Sequence, residues 1–176
     1  MAALRRGPDV GRPGARSTTD HSTSKIPAWY DCLVGTKGQI VKAMAVIRRD
    51  RDGGLLVSEY TGPDAAPFHR PLGGHVEFGE YALATIHREF QEEIGQRLAD
   101  VRLLGVLENI FPWQGSTQHE IVFIFAAGFA DPAAYEIPEQ RILDNAEAWT
   151  RVVWRPRGAA EPPLYPDGLT DLIESR

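Results

Sequence analysis

The chain holds a single cysteine, Cys32, in 176 residues. One thiol cannot form an internal disulfide, so no covalent cross-link secures the fold, and a reducing compartment is favoured. No apolar run approaches the roughly 18 residues of a membrane-spanning helix, so no membrane partner is expected. No signal-peptide core opens the chain, and a cytoplasmic location is the expectation. No internal repeat is visible. Positive charge is also scarce: 19 Lys and Arg face 24 Asp and Glu, a net −5. Residues 1–25 carry five cations (Arg5, Arg6, Arg12, Arg16, Lys25) and two acids (Asp9, Asp20), or +3, which leaves −8 on the remainder. An acidic body argues against general nucleic-acid binding, which depends on Lys and Arg neutralising phosphates. The same first stretch is nearly free of large apolar side chains and is rich in Gly, Pro, Ser and Thr. It predicts a disordered basic tail over 1–25, ahead of one domain over 26–176.

What is there looks like an ordinary globular domain. Hydrophobic residues make up 43% and charged residues 24%, and the length suffices for a sizeable core. Strand-like runs occur at 40–47, 55–60, 101–108, 120–127 and 149–154. The first two are joined by the Asp- and Gly-rich turn 49–54, which predicts a hairpin. The run at 121–125 is apolar on both faces and predicts a central strand. A short closing helix is expected over 169–175.

One segment carries chemistry. From 80 to 94 the apolar residues Leu83, Ile86, Phe90 and Ile94 fall three and four apart, one face of a helix. Glu89, Glu92 and Glu93 span roughly a quarter turn beside that face. Like charges one turn apart weaken a helix by a few tenths of a kcal/mol per pair, so something must offset them. Hard cations such as Mg²⁺ favour carboxylate oxygens and leave positions for water and substrate phosphates. A solvated acidic face would be the bland alternative. The flanking glycines argue against it: Gly73-Gly74 permits close backbone approach, and Gly79 and Gly95 punctuate the helix ends. Glu80 and Arg88 lie two turns apart and suit an ion pair bracing loop against helix.

Gly74, Glu80, Arg88, Glu89, Glu92, Glu93 and Gly95 occupy fixed positions of a pattern that resembles the Nudix box, with Phe90 in its apolar slot. Gln96 departs from the apolar residue usual at its end. The resemblance implies an α/β (α+β) fold, a Nudix-like α/β/α sandwich with a mixed β-sheet. It implies an Mg²⁺- or Mn²⁺-dependent hydrolase that splits a diphosphate linkage in a nucleoside diphosphate joined to another group. Carried over, Glu92 and Glu93 would bind metal, Glu89 would bind metal or activate water, and the Gly73 carbonyl would be a further ligand. Gly74, Glu80, Arg88 and Gly95 would be structural. A later-loop acid often completes such sites; Glu147 before Trp149 is the choice, ahead of Glu120, Asp144 and Glu139. Homodimers are common among such proteins.

Substrate contacts are sought outside this segment. Arg70 enters the glycine loop and could meet a phosphate. Phe111 and Trp113 fall in an expected loop, 111–115, and could stack a base. His119 and Glu120 start the central strand and could touch base or phosphate. Pro112 lies where ADP-ribose pyrophosphatases tend to place a proline, although their fuller Ser-Pro-Gly pattern is missing. The expectation therefore leans to ADP-ribose or a nucleotide sugar. The alternatives are a nucleoside triphosphate pyrophosphohydrolase, a non-catalytic nucleotide-binding or regulatory domain of this fold, and an isopentenyl-diphosphate isomerase. The last would need Cys32 for catalysis, so replacing Cys32 by serine separates it from the others.

Overall fold

The structure is a computed structural model that describes residues 38–61, 66–113, 115–144 and 148–175. The expected tail 1–25, Cys32 and Glu147 lie outside the described residues. Strand β1 (Ile40–Arg49) is buried without interruption from Ala43 to Ile47. Its alternation sends Ala43, Ala45 and Ile47 to one core and Met44 and Val46 to another, as successive side chains on a strand must. β1 turns into β2 (Gly54–Thr61) through Gly53, whose φ of 69° is easy only for glycine. Asp52 closes this turn by accepting hydrogen bonds from Gly54 N–H and Arg49 Nε.

The two strands of the hairpin part almost at once. They pair only at Arg48–Leu55 and Arg49–Gly54. Beyond that point β4 (Leu72–His75) takes the place beside β1, while β3 (Pro67–Arg70) pairs with β2. Pro71 stands where the chain crosses from one branch to the other, and it has no backbone N–H to leave unpaired. The fork opens a cleft between the branches.

The helix α1 (Ala82–Ile94) follows. Its Ile86 and Phe90 are fully buried against the Ala43, Ala45 and Ile47 face. Each contributes about 1.5–3 kcal/mol of hydrophobic stabilisation. Gly95, at φ 67°, ends the helix, with its own N–H on the Gln91 carbonyl and the following Gln96 N–H on the Phe90 carbonyl. Then β5 (Leu98–Trp113) and β6 (Ser116–Phe129) form a long antiparallel hairpin with irregularities near Asp100 and Leu104. β6 runs parallel to β1 from Ile40–Glu120 to Ile47–Ala127. A 3-10 turn (Pro132–Glu136), β7 (Glu139–Asp144), β8 (Ala148–Arg155) and the short helix α2 (Leu169–Glu174) complete the order. The mixed sheet reads β5-β6-β1-β2-β8-β7, with β3 and β4 in the fork. Leu169 of α2 packs on the Met44 and Val46 face, so helices cover both faces, as the α/β/α expectation held.

Differences from the sequence reading have physical causes. β3, β4 and β7 were not anticipated; two are four-residue strands, and β4 carries two glycines. Residues 111–113 are strand rather than loop, because Phe111, Pro112 and Trp113 pair with Gln118, Thr117 and Ser116. A proline is tolerated there because β5 is an edge strand. Among the described residues no helix is long and apolar enough to cross a membrane.

Candidate active site

A cleft of about 1090 Å³ opens at the fork. One wall is the acidic side of α1. Gly74 of β4 lies against it so closely that a β-carbon would overlap the Glu89 carboxylate. Gly73, at φ 141°, passes β1 so tightly that a β-carbon would overlap the Ala43 carbonyl and Met44 Cα. The two glycines therefore serve distinct purposes: Gly73 lets β4 pack on β1, and Gly74 leaves room for a carboxylate.

Arg88 organises this wall. Its Nε and Nη2 donate to both oxygens of Glu80, at 3.1 and 2.9 Å. Nη2 also reaches the His75 carbonyl at 3.1 Å. Nη1 is shared between Glu89 Oε1 at 2.8 Å and Glu92 Oε2 at 3.0 Å. One guanidinium thus braces the glycine loop on the helix and offsets the carboxylate repulsion. Hydrogen bonds from Arg88 and from the Thr85 hydroxyl hold the Glu80 carboxyl down to about 2. Glu80, above all, and then Glu92 and Glu89 push Arg88 above its ordinary value, against the opposing pull of burial. Burial pushes the Glu89 carboxyl up, and outweighs the opposite pull of Arg88.

Glu89, Glu92 and Glu93 all line the cleft. Their all-oxygen donor set suits a hard divalent cation. As the side chains lie, no group of three or more His, Cys, Asp or Glu among the described residues is gathered for a metal. The reason is visible for two of them: Glu89 and Glu92 are turned onto Arg88. The donors therefore fit such an ion, and Arg88 engages only one oxygen of each of these two carboxylates, Glu89 Oε1 and Glu92 Oε2.

The floor of the cleft carries a second charged group. Glu120 of β6, with a side chain only 3% exposed, pairs with Lys42 Nζ of β1 at 2.8 Å and Arg70 Nη2 of β3 at 3.0 Å. Burial pushes Glu120 up, but Arg70, Lys42 and a hydrogen bond with Asn109 outweigh it and leave the carboxyl below its usual range. Arg70 Nε is buried and has no hydrogen-bond partner among the described residues.

The far wall is aromatic. Phe68 stacks on Tyr60 at 5.3 Å between ring centres and meets Trp113 and Tyr165 edge-on at 6.1 and 5.7 Å. Phe111 lines the same cleft. Sequence reasoning found Phe111 and Trp113 but missed Tyr60, Phe68 and Tyr165, which belong to separate segments that only the fork and the segment after β8 bring together. That segment is held on β3 by His69 N–H to the Pro163 carbonyl at 2.8 Å and Tyr165 N–H to the His69 carbonyl at 2.9 Å. His119 is not in the cleft: it follows the alternation of β6 away from Glu120 and bonds Glu108 at 2.7 Å. Glu139 is also elsewhere, paired with Arg151 on the β7–β8 ribbon. The structure thus gathers Arg70, Gly73, Gly74, Glu89, Glu92, Glu93, Phe111, Trp113 and Glu120 around one cavity.

Comparison with known proteins agrees with this geometry. A model of the NUDIX domain matches residues 39–168. A NUDIX hydrolase from Nitrosomonas europaea superposes with a TM-score of 0.57 and 24% identity, over 78% of this chain and 87% of that one. A MutT NUDIX hydrolase from Burkholderia pseudomallei gives 0.56 and 22%, over 78% of this chain and 97% of the other. The m7GpppN-mRNA hydrolase NUDT17 of Xenopus laevis is 52% identical over 44 residues, 24% of this chain. The match spans only 15% of that relative's length.

Proposed function

Because the chain belongs to the NUDIX hydrolase family, we propose that it hydrolyses the diphosphate linkage of a nucleoside diphosphate joined to a second group, with a divalent cation held by Glu89, Glu92 and Glu93. The observation that carries this reading is one cleft with three carboxylates on one wall, two paired cations in its floor and an aromatic wall beyond. Each part suits one part of such a molecule. The carboxylates would hold Mg²⁺ or Mn²⁺, which neutralises phosphate charge and makes bound water more acidic. Lys42 and Arg70 face the phosphates. The aromatic wall offers π faces to a base, worth about 1–3 kcal/mol where stacking is good.

In the reaction a water oxygen bonds to phosphorus, the bridging P–O bond breaks, and two monophosphates leave with release of a proton. Glu89 sits against Gly74 beside the glycine loop, and we assign it the catalytic carboxylate. Arg88 holds that loop in place and touches no substrate. The expectation for ADP-ribose or a nucleotide sugar carries over as the first substrate class to test.

A second reading has its own support. The similar NUDT17 protein is named for hydrolysis of an m7GpppN mRNA cap, and N7-methylated guanine carries a positive charge that aromatic faces attract. The Tyr60, Phe68, Trp113 and Tyr165 wall suits such a base as well as a neutral one.

The test is a product screen with Mg²⁺ and with Mn²⁺ over ADP-ribose, nucleotide sugars, a cap analogue and nucleoside triphosphates. Cleavage at a diphosphate linkage, lost in Glu89→Gln with the fold intact, is the expected result. Metal-dependent binding without turnover of any compound would overturn the hydrolase reading in favour of a binding domain.

A further inference from the structure

Asp167 is an acid of the cleft to which the hydrolase reading gives no task. Glu89 and Glu92 meet Arg88, and Glu120 meets Lys42 and Arg70. Asp167 lines the same cleft two positions after Tyr165. Among the described residues no cation or hydrogen-bond donor is paired with its side chain. Nor does it serve the helix that follows, since no side chain caps α2.

Its position is nonetheless fixed. Pro166, Asp167, Gly168 and Leu169 form a turn closed by the Leu169 N–H on the Pro166 carbonyl at 3.1 Å. Gly168, at φ 80° and ψ −5°, gives it type II geometry. Pro166 and Leu169 at its two ends are both fully buried. The backbone of Asp167 is thereby anchored while its carboxylate stays exposed at the cleft.

The cations that line the cleft, Lys42, Arg70 and His75, belong to its floor and to the glycine loop. A base stacked on the wall of Phe68, Trp113 and Tyr165 therefore meets a carboxylate at its edge. An ionised carboxylate only accepts hydrogen bonds, and its two oxygens match two donors side by side. Guanine carries that pair, N1–H beside its 2-amino group. Adenine and cytosine each set a ring-nitrogen acceptor beside their amino group, and uracil flanks its one N–H with carbonyls.

We propose that Asp167 is the base-reading residue of this site and selects guanine. This rests on the hydrolase reading above and extends it from the phosphates to the base. The selection does not depend on the divalent cation or on Arg88, because compounds that differ only in the base present the same phosphates to both.

ADP-glucose and GDP-glucose form such a pair, and the inosine analogue IDP-glucose lacks only the 2-amino group of guanine. kcat/KM is measured with Mg²⁺, and binding is measured by calorimetry in the Glu89→Gln background. With Asp167 in place, GDP-glucose is expected to lead ADP-glucose by about ten-fold or more, the discrimination of one bidentate contact, with IDP-glucose between them. The amide of Asp167→Asn offers one acceptor and one donor, the complement of adenine. The ratio is then expected to fall to within about three-fold or to invert. A residue that merely shaped the turn would lower all three compounds together and leave their ratios unchanged, which would overturn the proposal. Equal use of guanine and adenine by the wild type would also overturn it and leave the hydrolase standing. Absence of turnover with the guanine preference in binding intact would instead overturn the hydrolase and keep the base reading. Binding of none of the three would overturn the base reading.

Discussion

The carboxylate of Glu89 fills the space where a side chain at Gly74 would begin. Backbone and carboxylate are thus fitted to each other across the glycine loop and α1. Gly74→Ala should push Glu89 out of position. A misplacement of about 1 Å in an active site can cost on the order of a hundred-fold in rate, and a loss of that size in kcat is expected. The thermal transition should move little, because Gly74 is only partly buried at the cleft edge. Steady-state kinetics beside a melting curve checks both; unchanged kcat would show that Glu89 is free to relocate without consequence.

The Glu80–Arg88 pair predicts an acid limb in the stability profile. Arg88 and Thr85 hold Glu80 down to about 2, below its ordinary 4.5. A carboxylate whose folded value is depressed adds stability above its unfolded value and loses it as pH falls through the folded one. That contribution is therefore complete above about 4.5 and disappears toward pH 2. Glu80→Gln should flatten this part of the curve. Arg88→Met should lower stability at neutral pH as well, since it leaves three carboxylates facing one another. Urea denaturation at pH 3, 5 and 7 distinguishes the two; parallel curves for wild type and Glu80→Gln would contradict the assignment.

How much of this was legible beforehand follows from the distance over which each feature is determined. α1 and its glycines are local: the spacing of Ile86 and Phe90 and of the three glutamates can be read within a few turns. The long strands were visible as apolar runs. The fork was not, because β3 and β4 are four residues each and exist through their partners on β2 and β1. The aromatic wall was half visible for the same reason, since Tyr165 reaches Phe68 only through the segment bonded to His69. His119 and Glu120 are neighbours on a strand and point to opposite faces, and His119 meets Glu108 while Glu120 turns into the cleft. The ion triad had no local signal at all: Arg70 and Glu120 are 50 positions apart.

In the proposed reading the aromatic wall takes the base and the carboxylates of α1 take the metal. Phe68 touches Tyr60, Trp113 and Tyr165. Trp113→Ala should raise KM for a nucleotide substrate by roughly five- to a hundred-fold, the equivalent of about 1–3 kcal/mol of lost stacking. kcat should change little. A fall in kcat at constant KM would place Trp113 among the groups that act on the reacting phosphate instead.

The last prediction concerns His69, which is buried beneath the wall at 5% exposure. Its Nδ1 faces Arg155 Nη1 at 2.8 Å. A guanidinium can only donate, so Nδ1 is the acceptor and the ring proton belongs on Nε2, toward Glu59 Oε1 at 3.5 Å. Burial first, and then Arg155, push His69 below its ordinary 6.5, against the pull of Glu59. Protonation would remove the acceptor and set a second positive charge beside Arg155. Arg155 also donates to the carbonyls of Ala159 and Pro162, so it holds the segment that carries Tyr165. The folded value is depressed, hence His69 contributes stability above pH 6.5 and loses it as pH falls through the lower folded value. Melting temperature should therefore drop between pH 7 and pH 5 more steeply for the wild type than for His69→Gln, whose amide can still accept from Arg155. Tryptophan emission followed over the same range should report the wall loosening with the wild-type drop. Identical slopes for the two proteins would mean that His69 takes up its proton equally in the folded and unfolded chain, so that neither burial nor Arg155 depresses it.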